Sequence, residues 1–207
     1  AAAMQRIADA YVARPLHCCF ANAGVGAPGS VLASSDETWQ WAWDVNVAAV
    51  LRTLRLWWPH LVAGAGKAVA TVSAAALQSY PGADPYRATK AALLSALEGL
   101  FYEAQGCGVS VHALCPGLVR TDIIALGRYE EASRLPPMGP NPFADFIREA
   151  MKHAEPADHF AVRVLDELDA GAPFYWFTHR ETMDWIDKRH KCVVRRTRPF
   201  TDFGSAA

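Results

Sequence analysis

The sequence has no excess of charge of either sign: its 207 residues carry 20 lysines and arginines against 21 aspartates and glutamates. A balanced chain has no global field that would attract nucleic acid or an anionic membrane surface. Six of the basic residues crowd the segment 188–198, for which a solvated surface is the favoured interpretation. We therefore expect neither a nucleic-acid partner nor a membrane partner.

Long hydrophobic runs are also absent. No apolar stretch approaches the roughly 20 residues that a membrane-spanning helix needs. The N-terminal segment Ala1–Arg14 is interrupted by Gln5, Arg6 and Asp9, a pattern typical of an amphipathic helix rather than of a signal peptide. With 52% apolar and 20% charged residues, the composition is that of an ordinary globular protein, and we expect a cytoplasmic one.

The five cysteines form no recognisable framework. Their number is odd, no Cys-x-x-Cys pair occurs, and Cys18 and Cys19 are adjacent, which predicts reduced thiols rather than disulfides. Metal ligands lack a pattern too, because His153 and His159 have no partner at metal-binding spacing, and we expect no metal site. A Gly-x-Ser-x-Gly turn is missing as well, which disfavours a serine hydrolase.

The sequence does contain a regular alternation of strand and helix patterns. Short apolar runs bounded by Gly, Pro or Asn predict strands, and longer stretches with helical periodicity predict helices. The predicted strands are Leu16–Phe20, Ala68–Ser73, Val109–Cys115 and Pro173–Thr178, and the predicted helices are Asp36–Leu61, Tyr86–Gln105, Phe143–His153 and Pro156–Ala170. Strands separated by helices indicate an α/β fold with a doubly wound parallel sheet, covered by helices on both faces.

The ends of the predicted strands bring small and polar residues together. Ligands of open parallel sheets bind at the carboxyl ends of the strands. At those ends the sequence has Asn22-Ala23-Gly24, Ser73 and Pro116-Gly117. Tyr86 and Lys90 are four residues apart at the start of the next helix, so both side chains project from one face of it.

These residue types suit hydride transfer to a carbonyl, because the developing alkoxide needs a proton. A tyrosine has a pKa of about 10, and about 4 kcal/mol of phenolate stabilisation would bring it near 7. Lys90, one helical turn from Tyr86, is a cation that supplies such stabilisation. Ser73 would hydrogen-bond the substrate oxygen, and Asn46, in the middle of a predicted helix, would hold a water that links Lys90 to solvent.

In their order and spacing, Asn22-Ala23-Gly24, Asn46, Ser73, Tyr86-x-x-x-Lys90 and Pro116-Gly117 resemble the short-chain dehydrogenase/reductase family. The resemblance covers residues 1 to about 125 and, more loosely, continues to Thr178. It implies a Rossmann-like fold and the oxidation of an alcohol, or the reduction of a carbonyl, with NAD or NADP. It also implies that Tyr86 is the acid/base, that Lys90 lowers its pKa and binds the nicotinamide ribose, that Ser73 orients the substrate, and that Asn46 supports a proton relay.

The resemblance implies a cofactor site as well. A backbone group of Val119 and the hydroxyl of Thr121 would hold the nicotinamide carboxamide. The cofactor-binding residues implied in this way are Asn22, Ala23, Gly24, Tyr86, Lys90, Pro116, Gly117, Val119 and Thr121. The long helices Asp36–Leu61 and Tyr86–Gln105 would form the interface of a homodimer or homotetramer, as is common in the family.

Residues 1–180 are expected to form one domain, within which residues 118–170 cover a small-molecule substrate, and residues 181–207 are expected to form a C-terminal tail. Several apolar side chains of the covering region favour an apolar alcohol or carbonyl substrate, although core packing explains the same residues. They are Leu126, Tyr129, Leu135, Met138, Phe143 and Phe146.

Each site residue also has an ordinary structural explanation when taken alone. Tyr86 and Lys90 would form a pair on a helix surface, Ser73 would be a turn residue, and Asn46 would be a buried polar group bonded to backbone. The five matched elements together favour the enzyme. Two alternatives stay open: a non-catalytic scaffold of the same fold, and a relative that uses the same tyrosine and lysine for epimerisation or dehydration.

A complete dinucleotide site also needs a Gly-rich turn between a first strand and a helix. Gly24-Val25-Gly26 is not followed directly by a helix, so we predict a Rossmann-like sheet that lacks its first βαβαβ segment. Leu16–Phe20 would then be an unprotected apolar edge strand. A truncated gene product or gene model is the favoured explanation, ahead of a non-catalytic protein or a second chain that supplies the strands. The residues that discriminate NAD from NADP belong to the same segment, so the prediction covers both.

Overall fold

The structure is a computed structural model that describes residues 2–11, 14–123 and 142–199. Its centre is a sheet of four parallel strands in the order β1-β2-β3-β6. These strands are β1 (Cys18–Ala21), β2 (Lys67–Thr71), β3 (Ser110–Cys115) and β6 (Tyr175–Phe177). The predicted α/β fold with a Rossmann-like parallel sheet is confirmed.

Helices lie between the strands. They are α1 (Ala2–Ala10), α2 (Asp36–Trp43), α3 (Val50–Ala63), α4 (Asp84–Glu103), α5 (Pro142–Lys152), α6 (Ala157–Asp169) and α7 (Glu181–Val194). A second, two-stranded parallel sheet pairs β4 (Val119–Arg120) with β5 (Glu155–Pro156). The helix α7 packs on the body of the protein, since Thr182 is buried and the Trp185 ring lies 6.5 Å from that of Tyr80.

The strands are continuous apolar runs because both faces of the sheet are covered. On one face, Ala68, Ala70 and Val111 belong to the larger core, which also contains Leu54 of α3 and Leu93 of α4. On the other face, Val69, Leu114 and Trp176 pack against side chains of α6, namely Val164 and Leu168. Burial of aliphatic side chains of this size contributes about 1.5–3 kcal/mol each, so the two cores hold the strand ends in fixed positions.

The stretch predicted as one helix, Asp36–Leu61, is divided in the structure. The helix α2 begins after Ser35, whose Oγ accepts a hydrogen bond from the Thr38 N–H at 3.3 Å. A π-helical turn, Asp44–Ala49, separates α2 from α3. A π turn is wider than an α turn by one residue and is frequent at functional sites.

The turn from α3 into β2 explains its two glycines. A Cβ on Gly64 or Gly66 would lie 2.6 or 2.3 Å from the carbonyl oxygen of Leu16, which is backbone and cannot give way. The segment before β1 therefore runs directly against this turn, where the Leu16 N–H donates to the His60 carbonyl at 2.9 Å.

The strand β1 lies at the edge of the sheet, as predicted for the run Leu16–Phe20. It pairs with β2, with Cys18 opposite Lys67 and Ala21 opposite Ala70, and within the described ranges its other side has no partner strand. Phe20 of this strand is 39% exposed. An unpaired apolar edge of this kind is a template for association with another strand.

Candidate active site

Tyr86 and Ser73 meet at the carboxyl edge of the sheet. Tyr86 lies in the first turn of α4, directly after Pro85, a residue suited to the start of a helix. Ser73 follows β2 and caps a short 3₁₀ turn, Ala74–Ala76, by accepting a hydrogen bond from the Ala75 N–H at 3.1 Å. With its oxygen held in this way, the Ser73 side chain acts to lower the pKa of the Tyr86 phenol, against the effect of burial.

Lys90 lies one helical turn below Tyr86 and is only 2% exposed. Its Nζ donates to the carbonyl oxygen of Thr71, the last residue of β2, at 2.8 Å. The same Nζ lies 5.8 Å from the centroid of the Tyr86 ring. The ammonium group is thus fixed between the end of the strand and the tyrosine.

Gly24 gives the lysine its space. A Cβ on Gly24 would lie 3.3 Å from Lys90 Nζ and 3.5 Å from Asn46 Oδ1. The first distance is closer than ordinary van der Waals contact, so any side chain here would press on the ammonium group. The exposed motif Asn22-Ala23-Gly24 is tied to β2 as well, because the Thr71 hydroxyl donates to Asn22 Oδ1 at 2.7 Å.

Asn46 is fully buried in the π turn, and its side chain bonds protein groups. Its Oδ1 accepts from the Val25 N–H at 2.8 Å, and its Nδ2 donates to the Val25 carbonyl and the Thr89 hydroxyl, each at 3.0 Å. The Thr89 hydroxyl donates in turn to the Tyr86 carbonyl at 2.8 Å. Both amide hydrogens of Asn46 are therefore used, so it links the loop after β1 to the helix of Tyr86, and a water could bind this amide only at Oδ1.

Burial dominates the pKa values at this edge. Burial lowers the pKa of Lys90 to about 8. Burial raises the pKa of Tyr86, and the hydrogen bond with Ser73 offsets part of that rise. That Lys90 brings the pKa of Tyr86 near 7 stays a prediction, and burial acts on this pKa in the opposite direction. Burial also raises the pKa of the Cys115 thiol, next to this pair, to about 12.

Pro116-Gly117 forms the turn that leaves β3. The Pro116 carbonyl accepts from the Ala74 N–H at 2.8 Å, which joins the turn to the segment of Ser73. The Gly117 N–H donates to His179 Nδ1 at 3.0 Å. A Cβ on Gly117 would lie 2.9 Å from His179 Cβ and Cγ and from Thr182 Cγ2, so only glycine fits at this distance.

The remaining predicted residues lie further along the chain. Val119 is in β4 and pairs with Glu155. Thr121 lies in the exposed bend after β4, and its hydroxyl accepts from the Ile123 N–H at 3.4 Å. The apolar residues predicted to face the substrate, Leu126, Tyr129, Leu135 and Met138, lie outside the described residues, as do the side chains of Phe143 and Phe146.

Four contacts at the site escaped the sequence analysis. Thr71 acts through its carbonyl, Thr89 bridges Asn46 to Tyr86, and Cys115 lies against Tyr86 and Lys90. Every residue type has a backbone carbonyl, so the sequence could not indicate that the Thr71 carbonyl binds Lys90. His179 did give one, because it follows β6 at the same edge of the sheet as the other strand ends.

Comparison with known proteins assigns the family. The model of the family described as short chain dehydrogenase matches residues 1–131. The chain belongs to the short-chain dehydrogenase family. The matched part contains β1, β2, β3 and every predicted site residue from Asn22 to Thr121.

Two curated members of the family and one solved structure illustrate the similarity. A "CLA biosynthesis dehydrogenase/reductase" of Lactiplantibacillus plantarum is 26% identical over 184 residues, 84% of this chain and 64% of the relative. The meso-2,3-butanediol dehydrogenase of Serratia marcescens is 33% identical over 102 residues, 49% of this chain and 41% of the relative. The chain thus spans less than two thirds of the length of these curated relatives.

The solved structure is that of a short-chain dehydrogenase/reductase from Burkholderia phymatum in complex with NAD. It superposes with a TM-score of 0.86 at 27% identity and covers 98% of this chain and 76% of the other. In the described ranges, no helix of this chain is both long and apolar enough to cross a membrane, and no group of three or more His, Cys, Asp or Glu side chains is arranged to hold a metal ion.

Proposed function

We propose that this short-chain dehydrogenase transfers a hydride between NAD(H) or NADP(H) and an alcohol or carbonyl, with Tyr86 as the acid/base. One observation carries the proposal: the centroid of the Tyr86 ring lies 5.8 Å from Nζ of the buried Lys90, and the Ser73 side chain acts on the same phenol. In this proposal Ser73 orients the substrate oxygen. Lys90 stabilises the phenolate of Tyr86 and binds the nicotinamide ribose, and Asn46 holds the helix of Tyr86 against the loop after β1.

The raised pKa of Tyr86 favours the protonated phenol, which is the form that carbonyl reduction requires. A tyrosine that keeps its proton is ready to give it to the alkoxide formed when a carbonyl carbon accepts a hydride. The O–H bond of Tyr86 breaks, the O–H bond of the product alcohol forms, and solvent returns the proton to Tyr86. The alcohol oxidation needs the phenolate, which additional positive charge within about 4–6 Å would stabilise.

The residues present fit a nicotinamide ribose. Lys90 carries three N–H groups, and one is bound within the described part of the chain, to the Thr71 carbonyl. The other two are available for ribose hydroxyls. The absent side chain of Gly24 leaves the approach to Lys90 open. When bound, the cofactor supplies the hydride and, in its oxidised form, a positively charged ring. Asn22, Ala23, Pro116, Gly117, Val119 and Thr121 would complete the contacts.

The central test replaces the acid/base. Tyr86→Phe removes the transferable proton, and we expect a loss of about 10²–10⁴-fold in kcat for carbonyl reduction by NADH or NADPH. Tyr102→Phe is the matched control, since Tyr102 is on the same helix and is 74% exposed. The control should keep the activity of the unsubstituted chain. Equal activity of Tyr86→Phe and Tyr102→Phe would refute the proposed role.

A binding measurement tests the cofactor. Titration of the chain with NADH and NADPH, followed by quenching of its tryptophan fluorescence, should give saturation in the micromolar range and show which of the two binds more tightly. If the folded chain binds neither cofactor up to millimolar concentrations, the proposal that this chain is an NAD(P)-dependent enzyme is refuted. It would support the alternative of a non-catalytic scaffold.

The substrate class and assembly extend the proposal. We infer an apolar alcohol or carbonyl, from the apolar residues named above between Leu126 and Phe146. We also infer self-association through α2, α3 and α4, where Trp43 of α2 is 46% exposed and Phe101 of α4 is 38% exposed. Light scattering at micromolar concentration should give a dimer or tetramer, and a monomer would contradict this part.

A further inference from the structure

His179 holds the turn that leaves β3 from the opposite side of the site. It follows β6 after one intervening residue, Thr178, and its Nδ1 accepts the Gly117 N–H at 3.0 Å. The contact is close, since a Cβ on Gly117 would lie 2.9 Å from His179 Cβ and Cγ. The Gly117 backbone and the His179 imidazole are thus joined both by a hydrogen bond and by close packing.

The hydrogen bond defines the protonation state of the imidazole. A backbone N–H can only donate, so Nδ1 must offer its lone pair, and the single ring proton of the neutral form then lies on Nε2. The Thr178 hydroxyl, 2.9 Å from Nδ1, can rotate to suit either state. Nε2 is buried and has no hydrogen-bond partner among the described residues.

Protonation would reverse the contact. The imidazolium ion carries N–H groups at both nitrogens, so Nδ1–H would face the Gly117 N–H, donor against donor. The close packing at Gly117 leaves no room for the two groups to slide past each other. The turn would have to move away from His179. Protonation of His179 would therefore act directly on the position of this turn.

We propose that His179 is a positioning residue that keeps the turn Pro116-Gly117 in place while its imidazole is neutral and releases it when the imidazole is protonated. The consequence for cofactor affinity rests on the proposed function, in which this turn contacts the nicotinamide. The consequence for the Gly117 amide does not rest on it.

Charged groups face His179 from each element packed against it. Glu155 of β5 binds Arg163 of α6 at 2.6 Å, and Arg163 also binds Glu167 at 3.0 Å and donates to the Thr178 carbonyl at 3.3 Å. The hydrogen bond with Arg163 is the main cause of the lowered pKa of Glu155, to which His179 and His159 add. Arg180 and Glu181 follow His179 in the chain and are exposed. The Glu155 carboxylate, which His179 influences, is thus already engaged by the Arg163 guanidinium group.

The first experiment follows the Gly117 amide by NMR and hydrogen exchange between pH 5.5 and 8. His179→Asn keeps an acceptor, Oδ1, at the position of Nδ1 but cannot be protonated, and His179→Leu has no acceptor. His159→Asn is the matched control, because His159 is an exposed histidine that also faces Glu155.

In the unsubstituted chain and in the control, we expect the protection of the Gly117 amide to fall about tenfold as His179 becomes protonated, in proportion to the loss of one hydrogen bond. Protection should stay high at all pH values in His179→Asn and low at all pH values in His179→Leu. A Gly117 amide that ignores the titration of His179, or a pH response that survives in His179→Asn, would overturn the proposal.

The second experiment measures the Kd for NADH at pH 7.5 and pH 6.0. We expect the Kd of the unsubstituted chain to rise about tenfold on acidification, and the Kd of His179→Asn to stay constant. If the chain binds NADH equally well at both pH values, the positioning role is overturned. If it binds NADH at neither pH, the proposed function fails, while the Gly117 amide still decides the role of His179.

Discussion

The site has two sides that are held by different kinds of bond. On the β1–β2 side, Asn46 and Thr89 form a buried network of neutral groups, and Lys90 binds the end of β2. On the β3–β6 side, the turn after β3 is bound by Gly117 to the imidazole of His179. Amide and hydroxyl groups keep their hydrogen-bonding character at every physiological pH, whereas an imidazole does not. The bonds of Asn46 and Thr89 therefore do not change with pH, and we call them the permanent side; the bond of His179 depends on the protonation of its imidazole, and we call it the responsive side.

The largest expected effect comes from breaking the permanent side. Asn46→Ala would leave the Val25 N–H and carbonyl and the Thr89 hydroxyl without their partner. Each unsatisfied buried group costs about 1–3 kcal/mol, so we expect a loss of about 4 kcal/mol in the free energy of unfolding, measured with urea. Gln40→Ala removes an exposed amide that bonds Asp44 and should cost less than about 0.5 kcal/mol. Similar losses in the two variants would mean that Asn46 does not organise this side.

The buried lysine makes a prediction about pH. Its pKa is about 8 in the folded chain against an ordinary value of 10.5. Between these values the unfolded chain binds a proton that the folded chain has released, so the folded state gains stability as pH rises through this window and loses it as pH falls to 8. The free energy of unfolding of the unsubstituted chain, minus that of Lys90→Met, should therefore rise by about 3 kcal/mol from pH 7.5 to 10.5.

Measurement of both proteins in the same buffers cancels the titration of the thiols and of the other tyrosines. Cys115, the thiol that Lys90 influences directly, has a pKa of about 12 and stays protonated across most of this window. A difference that is flat with pH would show that Lys90 keeps its ordinary pKa and is not desolvated as described.

A smaller effect is expected from forcing the responsive side apart. Gly117→Ala places a methyl group 2.9 Å from His179 Cβ and Cγ and from Thr182 Cγ2. Overpacking of this kind costs about 1–3 kcal/mol, and the turn should shift away from His179. We expect lower stability in urea and a loss of protection at the amide of residue 117. If the stability and the protection of this amide are both unchanged in Gly117→Ala, the turn is free to move.

The smallest effect is expected from a glycine that lies on neither side of the site and serves as the control for Gly117. A Cβ on Gly99, within α4, would meet nothing within 4 Å. Because glycine is poor in a helix interior, Gly99→Ala should raise the free energy of unfolding by about 0.5–1 kcal/mol. Opposite signs for Gly99→Ala and Gly117→Ala would separate the cost of close packing from the general effect of a methyl group. A destabilised Gly99→Ala would argue against this separation.

Much of the fold could be predicted from sequence because one physical pattern, continuous apolar runs between helical stretches, fixes a parallel sheet. The bounds moved by at most two residues, where the ends are set by partners: the strand predicted from Leu16 begins at Cys18, since the residues before it bond the turn after α3. The two-stranded pair of β4 and β5 escaped prediction, because two residues on each side carry no periodicity.

The candidate site was predictable in residue type but not in contacts. Tyr86, Lys90 and Ser73 are identified by their spacing, and the structure brings them together at one edge of the sheet. The bond between Gly117 and His179 joins positions 62 apart in sequence, and only the order of the strands brings them together. The direction of the Tyr86 pKa was also beyond the sequence, because it depends on how much water the fold removes from the phenol.

The π turn between α2 and α3 sets the rotational phase of the whole helical segment. Along the segment a buried residue recurs at every fourth position, at Thr38, Ala42, Asn46, Val50 and Leu54, and Val47 is buried beside them. In an uninterrupted α-helix, positions four apart advance by about 40°, so this series would drift by about 160° towards solvent. The wider turn at Asp44–Ala49 takes back part of that drift and keeps all five side chains inside. The spacing of four between buried residues is thus the sequence pattern that accompanies the π turn. Deletion of one residue from this turn would rotate α3 by about 100° and turn its apolar face towards water.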